Sequence, residues 1–116
     1  MAKILLVGGA GYIGSHMTLQ LLNSGHDVVL LDKQDASHLN AIAAAHCVQG
    51  DLADAALLDY LFTEHAFDAV MHFAAYIEVG ESVQKPGKYY HNNVANTLLL
   101  LDAMVEHNVK IFIFSS

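Results

Sequence analysis

The 116-residue chain has few of the residue types that mark several large classes of protein. Its one cysteine, Cys47, excludes an internal disulfide and a cysteine-based zinc site, and we expect a reducing, cytoplasmic location. Five Lys or Arg stand against twelve Asp or Glu, and this acidic balance argues against a nucleic-acid partner. No apolar run approaches the roughly 18 residues of a membrane span, so no membrane partner is expected. The eight histidines show no metal-ligand spacing, and no metal site is predicted.

Apolar sequence is abundant, and it alternates between strand and helix patterns. Hydrophobic residues make up 54% of the chain, with no repeat, no low-complexity tract and a single proline. Residues 1–116 are therefore expected to form one α/β domain, a Rossmann-like, doubly wound parallel sheet with the strand order 3-2-1-4-5. We predict strands at 3–7, 27–31, 47–49, 69–73 and 110–114, and helices at 12–24, 37–45, after residue 54, and at 89–107.

The most informative segment is the glycine-rich turn between the first strand and the first helix. Gly8, Gly11 and Gly14 follow one another at three-residue steps, directly behind a buried-strand pattern. Such glycines permit a tight turn, a close approach of backbone to phosphate, and close packing of the helix on the strand. Asp32 ends the second strand, where a carboxylate accepts hydrogen bonds from ribose hydroxyls and repels the additional phosphate of NADP. The pattern predicts an NAD site; the alternative is an unliganded glycine turn.

Further candidate residues follow the other strands. Asp51 is placed to accept a hydrogen bond from the adenine amine and Leu52 to pack on the ring, unless Asp51 only turns the chain. Lys33 either softens the preference for NAD or is an ordinary solvated lysine. His72 is more typical of a packed core residue than of a catalyst. Asn92 either braces the loop after strand four or caps the long helix.

Two apolar surfaces predict contacts beyond the domain. The long helix is apolar on more than one face, and we expect Leu100 and Met104 to form a helix-to-helix dimer contact. The fifth strand, 111–114, is an apolar edge, which complete doubly wound sheets usually cover with further strands. The chain is therefore expected to be part of a larger protein, its sheet truncated before the remaining strands and a substrate domain.

Several motifs together identify a family that the chain resembles. They are Gly8–His16, His72–Ala75, Val79–Val83, Lys85-Pro86, Tyr89–Asn93 and Phe112–Ser116. Over its whole length the chain is similar to the N-terminal part of the UDP-glucose 4-epimerases, in the extended short-chain dehydrogenase/reductase superfamily. This resemblance implies an isomerase that takes hydride from carbon 4 of a UDP-sugar onto bound NAD and returns it to the other face. It also implies a homodimer formed through the helix that starts near Tyr89.

The resemblance implies a set of cofactor contacts at the matching positions. The backbone of Tyr12 and Ile13 matches the pair that meets the pyrophosphate, and Asn92 matches an asparagine that touches the cofactor. There are departures: Val7 replaces a usual threonine, Lys33 a frequent asparagine, and Ile77 a lysine of some members. The implied set comprises Gly8, Gly11, Tyr12, Ile13, Gly14, Asp32, Lys33, Ser37, Asp51, Leu52, Phe73, Ala74, Ala75, Tyr76, Ile77 and Asn92.

The motif that carries catalysis in this family is missing. Its general base is the tyrosine of Tyr-x-x-x-Lys, and none of the five tyrosines here is followed four positions later by lysine. The catalytic serine or threonine is expected just beyond Ser115 and Ser116, so we assign no catalytic residue and expect no epimerisation by the chain alone. The alternatives are a fragment of a nucleotide-sugar 4,6-dehydratase, a non-catalytic module for NAD or another adenine nucleotide, and a purely structural dimerisation piece.

Overall fold

A computed structural model describes residues 2–8, 12–33, 46–73 and 86–114. Its elements are β1 Lys3–Val7, α1 Tyr12–Asn23, β2 Asp27–Asp32, β3 His46–Gln49, α2 Ala55–Glu64, β4 Ala69–His72, α3 Pro86–Glu106 and β5 Ile111–Phe114. All neighbouring strands are parallel and lie in the order 3-2-1-4-5, so the predicted topology is confirmed. The helix predicted at 37–45 lies outside the described residues.

The sheet separates two apolar cores, and successive residues of a central strand face opposite cores. Leu6 packs on the α1 side, together with Val28 and Leu30. Leu5 and Val7 face the other side, where α2 and α3 lie. This alternation follows from the two-residue period of a strand, and burial on both faces explains why the central strands β1 and β2 are almost continuously apolar. Among the described helices, none has the length and apolar character that crossing a membrane requires.

The ends of the helices are set by local sequence. Gly25 has φ +86°, and the N–H groups of Gly25 and His26 bond to the carbonyls of Leu22 and Leu21, which closes α1 in a Schellman motif. Asp54 caps α2, because its side chain accepts a hydrogen bond from the Leu57 N–H. Both ends were predicted from these residues and are confirmed.

Helix α3 differs from the prediction in its start and in its buried face. It begins at Pro86 rather than near residue 89, since proline lacks an N–H that the first helical turn does not use. The expected surface position of Leu100 and Met104 is wrong: both side chains are buried in the core. Within the described part of α3, the large apolar side chains left exposed are Leu98 and Val105, 54% and 77% exposed.

The carboxyl end of α3 is tied to α2 through His107. Its Nε2 lies 3.2 Å from Oδ1 of Asp59, and its ring stacks on Phe62. Within the described part of the chain, Asp59, Glu106 and His107 bring potential metal-ligand atoms within 4.8 Å of one another. Sequence spacing does not reveal this cluster, because Asp59 lies in α2 and is far in sequence from Glu106 and His107. The ring stacking and the contact with Asp59 account for the position of His107.

Candidate functional site

The turn after β1 has the geometry that the first glycine of the motif predicts. Gly8 has φ +87°, a conformation that side-chain-bearing residues rarely adopt. Its N–H donates to the carbonyl oxygen of Leu31 at 2.7 Å, so the turn is fastened to the end of β2. The described chain leaves β1 through this turn, and α1 begins at Tyr12, a few residues later.

The amino end of α1 is suited to an anion. The first turn of α1 carries no acidic residue, so no side-chain carboxylate opposes the positive end of the helix dipole. Gly14 is buried, as close packing of the helix requires, and its carbonyl accepts a hydrogen bond from Thr18 Oγ1 at 2.8 Å. The first N–H groups of a helix have no acceptor within the helix, so they can donate hydrogen bonds to a pyrophosphate. The positive end of the helix dipole attracts the negative charge of the same group.

Three backbone hydrogen bonds hold the carboxyl ends of four strands together. Gly8 N–H bonds to Leu31, Phe73 N–H bonds to the Val7 carbonyl at 2.7 Å, and Gly50 N–H bonds to the Asp32 carbonyl at 2.8 Å. Strand β1 lies between β2 and β4 in the sheet, and the connection that follows β1 leads to β2. Ligands of such sheets bind in the crevice where the connections diverge in this way.

An exposed ion pair lies at the end of β2 and β3. Lys33 Nζ is 3.5 Å from Oδ2 of Asp51, and Oδ1 of Asp51 accepts the Ala53 N–H at 2.9 Å. Asp32, the last residue of β2, is half-buried beside this pair. Leu52 is buried in the main core, so most of its side chain is already covered by protein. The pair and Asp32 are thus polar groups at the carboxyl ends of β2 and β3.

Gln49 and Gly50 lie at the carboxyl end of β3, and the sequence analysis did not identify either as part of the candidate site. A Cβ on Gly50 would overlap the tip of the Leu57 side chain, and the glycine N–H fastens β3 to β2. The side-chain amide of Gln49 donates to the Lys33 carbonyl at 3.2 Å. The available signal was a glycine directly after a strand, which often marks a close approach of backbone.

His72 is a packed residue, as its sequence context indicated. Its side chain is 3% exposed, and its ring lies against Phe112 and Phe114, with centroids 6.2 Å and 5.2 Å away. Neither ring nitrogen has a hydrogen-bond partner among the residues that the structure describes. Burial lowers the pKa of His72, because the charged form is poorly solvated there.

The remaining predicted contacts are only partly described. Phe73 follows β4 directly and packs on the α1 side of the sheet. Tyr12 and Ile13 lie in the first turn of α1 and Asn92 lies in α3, while their side chains are outside the described part of the chain. The other predicted positions outside it are Gly11, Ser37, Ala74, Ala75, Tyr76 and Ile77.

Comparison with known proteins agrees with this geometry. The profile of the NAD dependent epimerase/dehydratase family matches residues 4–116. The chain belongs to this family. Among curated family members, the UDP-glucose 4-epimerase of Halalkalibacterium halodurans is 50% identical over 113 residues, which cover 97% of this chain. The UDP-arabinose 4-epimerase 1 of Arabidopsis thaliana is 46% identical and covers all of this chain. The chain spans about a third of the length of these relatives, 34% and 30% respectively.

Solved structures of the family have the same fold. A UDP-glucose-4-epimerase from Stenotrophomonas maltophila, with bound NAD and formylated UDP-arabinopyranose, superposes with a TM-score of 0.91 at 41% identity. That match covers all of this chain and 37% of the other. The UDP-glucose 4-epimerase from Bifidobacterium longum, in complex with NAD+ and UDP, gives a TM-score of 0.90 at 42% identity. It covers 98% of this chain and 36% of the other. The family assignment and the strand order thus support each other.

Proposed function

We propose that this chain is the NAD-binding part of a UDP-glucose 4-epimerase that interconverts UDP-glucose and UDP-galactose. The observation that carries the proposal is the Gly8 turn, fastened to β2 and opening onto a helix end without acidic residues. The names of its relatives, at 41% to 50% identity, support the sugar-nucleotide class of substrate. Because the chain spans about a third of those relatives, the activity is proposed for a longer protein.

The described residues fit NAD in a consistent way. The amino end of α1 would receive the pyrophosphate, and Asp32 would accept hydrogen bonds from the adenine-side ribose. Asp51 would accept one from the adenine amine, beside the backbone of Leu52. When bound, NAD would supply the hydride-accepting and, once reduced, hydride-donating group for the exchange at carbon 4 of the sugar. The chain's own residues hold and orient the adenosine half, and the 116 residues contain no Tyr-x-x-x-Lys base.

Replacing Asp32 by alanine tests the proposal. We expect NAD affinity of the chain to fall about tenfold in isothermal titration, as the loss of one charge-assisted hydrogen-bonding group predicts. The preference for NAD over NADP should shrink as well, because the carboxylate that repels the 2′-phosphate is gone. Asp27→Ala is a matched control, since it removes the same charge from the exposed other end of β2. Wild-type chain that binds no NAD would rule out the proposed function.

We also propose that the complete protein is a homodimer that packs through α3. Leu98 and Val105 support this, because they are the large apolar side chains that the described part of α3 leaves exposed. Val105→Glu is expected to shift the sedimentation coefficient of the chain from dimer toward monomer in analytical ultracentrifugation, since a charge would be buried in the contact. Thr63→Glu, on the exposed surface of α2, is the control. A wild-type chain that sediments as a monomer throughout the micromolar range would contradict dimerisation through this helix.

A cytoplasmic location completes the proposal. It fits the single cysteine, whose thiol is free and exposed in β3. Fractionation of the source cells tests this location. Recovery of the protein outside the cytoplasmic fraction would contradict it.

A further inference from the structure

We propose that Asp59, Glu106 and His107 form a site for one divalent transition-metal ion, Zn²⁺, which joins α2 to the carboxyl end of α3. Their ligand atoms, two carboxylate oxygens and an imidazole nitrogen, lie within 4.8 Å of one another. The turn after α3 leads into β5, so the cluster lies toward the amino ends of the strands. The glycine turn after β1 lies at the opposite edge of the sheet, and the inference does not depend on the proposed function.

The backbone of the two ligands from α3 is fixed by the end of that helix. The Asn108 N–H bonds to the Val105 carbonyl at 3.3 Å, and the Val109 N–H bonds to the Met104 carbonyl at 2.9 Å. These two bonds form a Schellman motif, and Asn108 has the left-handed conformation that the motif requires, with φ +60°. The two ligands are the residues directly before Asn108, so their backbone is in place without a metal ion.

The imidazole of His107 and the carboxylate of Asp59 already have the separation of two zinc ligands. The ring of His107 stacks on Phe62 with centroids 5.6 Å apart, and its Nε2 lies 3.2 Å from Oδ1 of Asp59. Neighbouring ligand atoms of a tetrahedral zinc ion are about 3.3 Å apart, because metal–ligand bonds are about 2.1 Å long. An ion can therefore take the place of the hydrogen between these two atoms, with the ring proton on Nδ1.

Glu106 supplies the third ligand and balances the charge. Its side chain is exposed, so it can rotate about its own bonds to reach an ion held by the other two residues. The last turn of α3 contains no basic residue that would repel a cation, and the carboxyl end of a helix attracts positive charge. Two carboxylates and a neutral imidazole match a charge of +2, and water would complete the coordination.

The types of ligand favour Zn²⁺ over the more abundant hard cations. Imidazole suits zinc and its neighbours among the transition metals, whereas Mg²⁺ and Ca²⁺ take oxygen ligands. Because α2 and α3 come together only in the folded chain, an ion bound by both stabilises the fold.

Isothermal titration of the chain with zinc chloride tests this inference. We expect one Zn²⁺ per chain, and a loss of affinity of tenfold or more in Asp59→Asn, Glu106→Gln and His107→Gln, since each removes one ligand atom. The two carboxylates are exposed, so their amide variants should fold. His46→Gln is the matched control, because it removes an exposed imidazole from β3 and should leave the affinity unchanged. Excess magnesium chloride should not displace the ion.

Urea denaturation gives a second measurement that does not depend on heat of binding. Zinc chloride should raise the urea midpoint of wild-type chain and of His46→Gln, but not that of Asp59→Asn, because an ion that binds only the folded chain stabilises it. The midpoints without zinc show that each variant is folded.

Three outcomes would overturn the inference. Unchanged zinc affinity in both Asp59→Asn and Glu106→Gln would mean that histidines elsewhere in the chain bind the ion. An equal loss in His46→Gln and Asp59→Asn would likewise indicate scattered binding to surface side chains. One ion for every two chains would mean that zinc bridges copies of the chain and does not join the two helices.

Discussion

Gly8→Ala is expected to lower the affinity of the chain for NAD by about 100-fold or more. Gly8 has φ +87°, and an L side chain in a left-handed conformation costs about 1–2 kcal/mol. Relief of that strain would rotate the turn and break the hydrogen bond from the Gly8 N–H to Leu31, which fastens it to β2. The backbone groups that face the pyrophosphate would then lose their alignment, and two charge-assisted hydrogen bonds are together worth about 3 kcal/mol or more. Isothermal titration with NAD measures the loss.

Gly25→Ala provides a control for backbone strain alone. Gly25 lies at the opposite end of α1 with φ +86°, and a Cβ there would meet no atom within 4 Å. Urea denaturation should show that both alanine variants lose about 1–2 kcal/mol of stability, since both place a side chain at positive φ. Only Gly8→Ala should lose NAD binding. Equal losses of affinity in the two variants would mean that the effect comes from general destabilisation and not from the turn.

His72→Phe is expected to raise the free energy of unfolding at pH 7 by about 1–2 kcal/mol, the cost of buried polar atoms without partners. His72 is 3% exposed, and both ring nitrogens lack partners within the described part of the chain. Its ring already lies among aromatic rings, those of Phe112 and Phe114, so a phenyl group suits the site. Urea denaturation of the two proteins compares their stabilities directly. A variant less stable than wild-type would show that the imidazole has a favourable contact or that the site has no room for the larger ring.

The same substitution should flatten the pH dependence of stability. Burial lowers the pKa of His72 in the folded chain below its ordinary value of about 6.5. The unfolded chain therefore binds more protons as the pH falls through 6.5, and the folded state loses stability from there downward, by up to about 1.4 kcal/mol per pH unit for one group. Above about pH 7.5 this contribution vanishes, because the imidazole is neutral in both states.

His65 serves as the comparison for this pH effect. Burial lowers the pKa of His65 too, with smaller effects from Lys3 and His46 and an opposing one from Glu64. Its ring is more exposed than that of His72, so His65→Phe should remove less of the acid sensitivity. An unchanged difference in stability between pH 5 and pH 7.5 in His72→Phe would show that His72 does not carry the effect.

The turn of the candidate site and the ends of the helices were predictable where they depend on local sequence. Gly8, Gly25 and Asp54 have the conformations or caps that their residue types favour, because steric freedom and side-chain capping act within a few residues. The early start of α3 at Pro86 was missed, although proline is common in a first helical turn. The exact ends of a helix or strand depend on small local differences in free energy. The presence of the helix or strand is indicated by apolar residues that recur along its whole length.

Contacts across elements were not predictable in the same way. The pattern of α3 showed more than one apolar face but not which one the sheet and α2 would cover, and Leu100 and Met104 proved to be buried. Likewise Lys33 and Asp51 are far apart in sequence, and only the pairing of β2 with β3 brings them together. Such contacts depend on register and packing, where one residue of shift exchanges the two faces of a strand.

The sequence by itself determined the order of strands and helices, the parallel topology, and a glycine turn ahead of a helix. Each of these follows from apolar periodicity, backbone sterics and the handedness of crossovers, which act within one element or between neighbours in the chain. Only the tertiary structure decided that the His72 ring is buried with no hydrogen-bond partner among the described residues, that Lys33 lies beside Asp51, and that α3 exposes Leu98 and Val105. The physical reason is that burial and pairing between distant residues are set by how whole elements pack, and no local pattern contains that information.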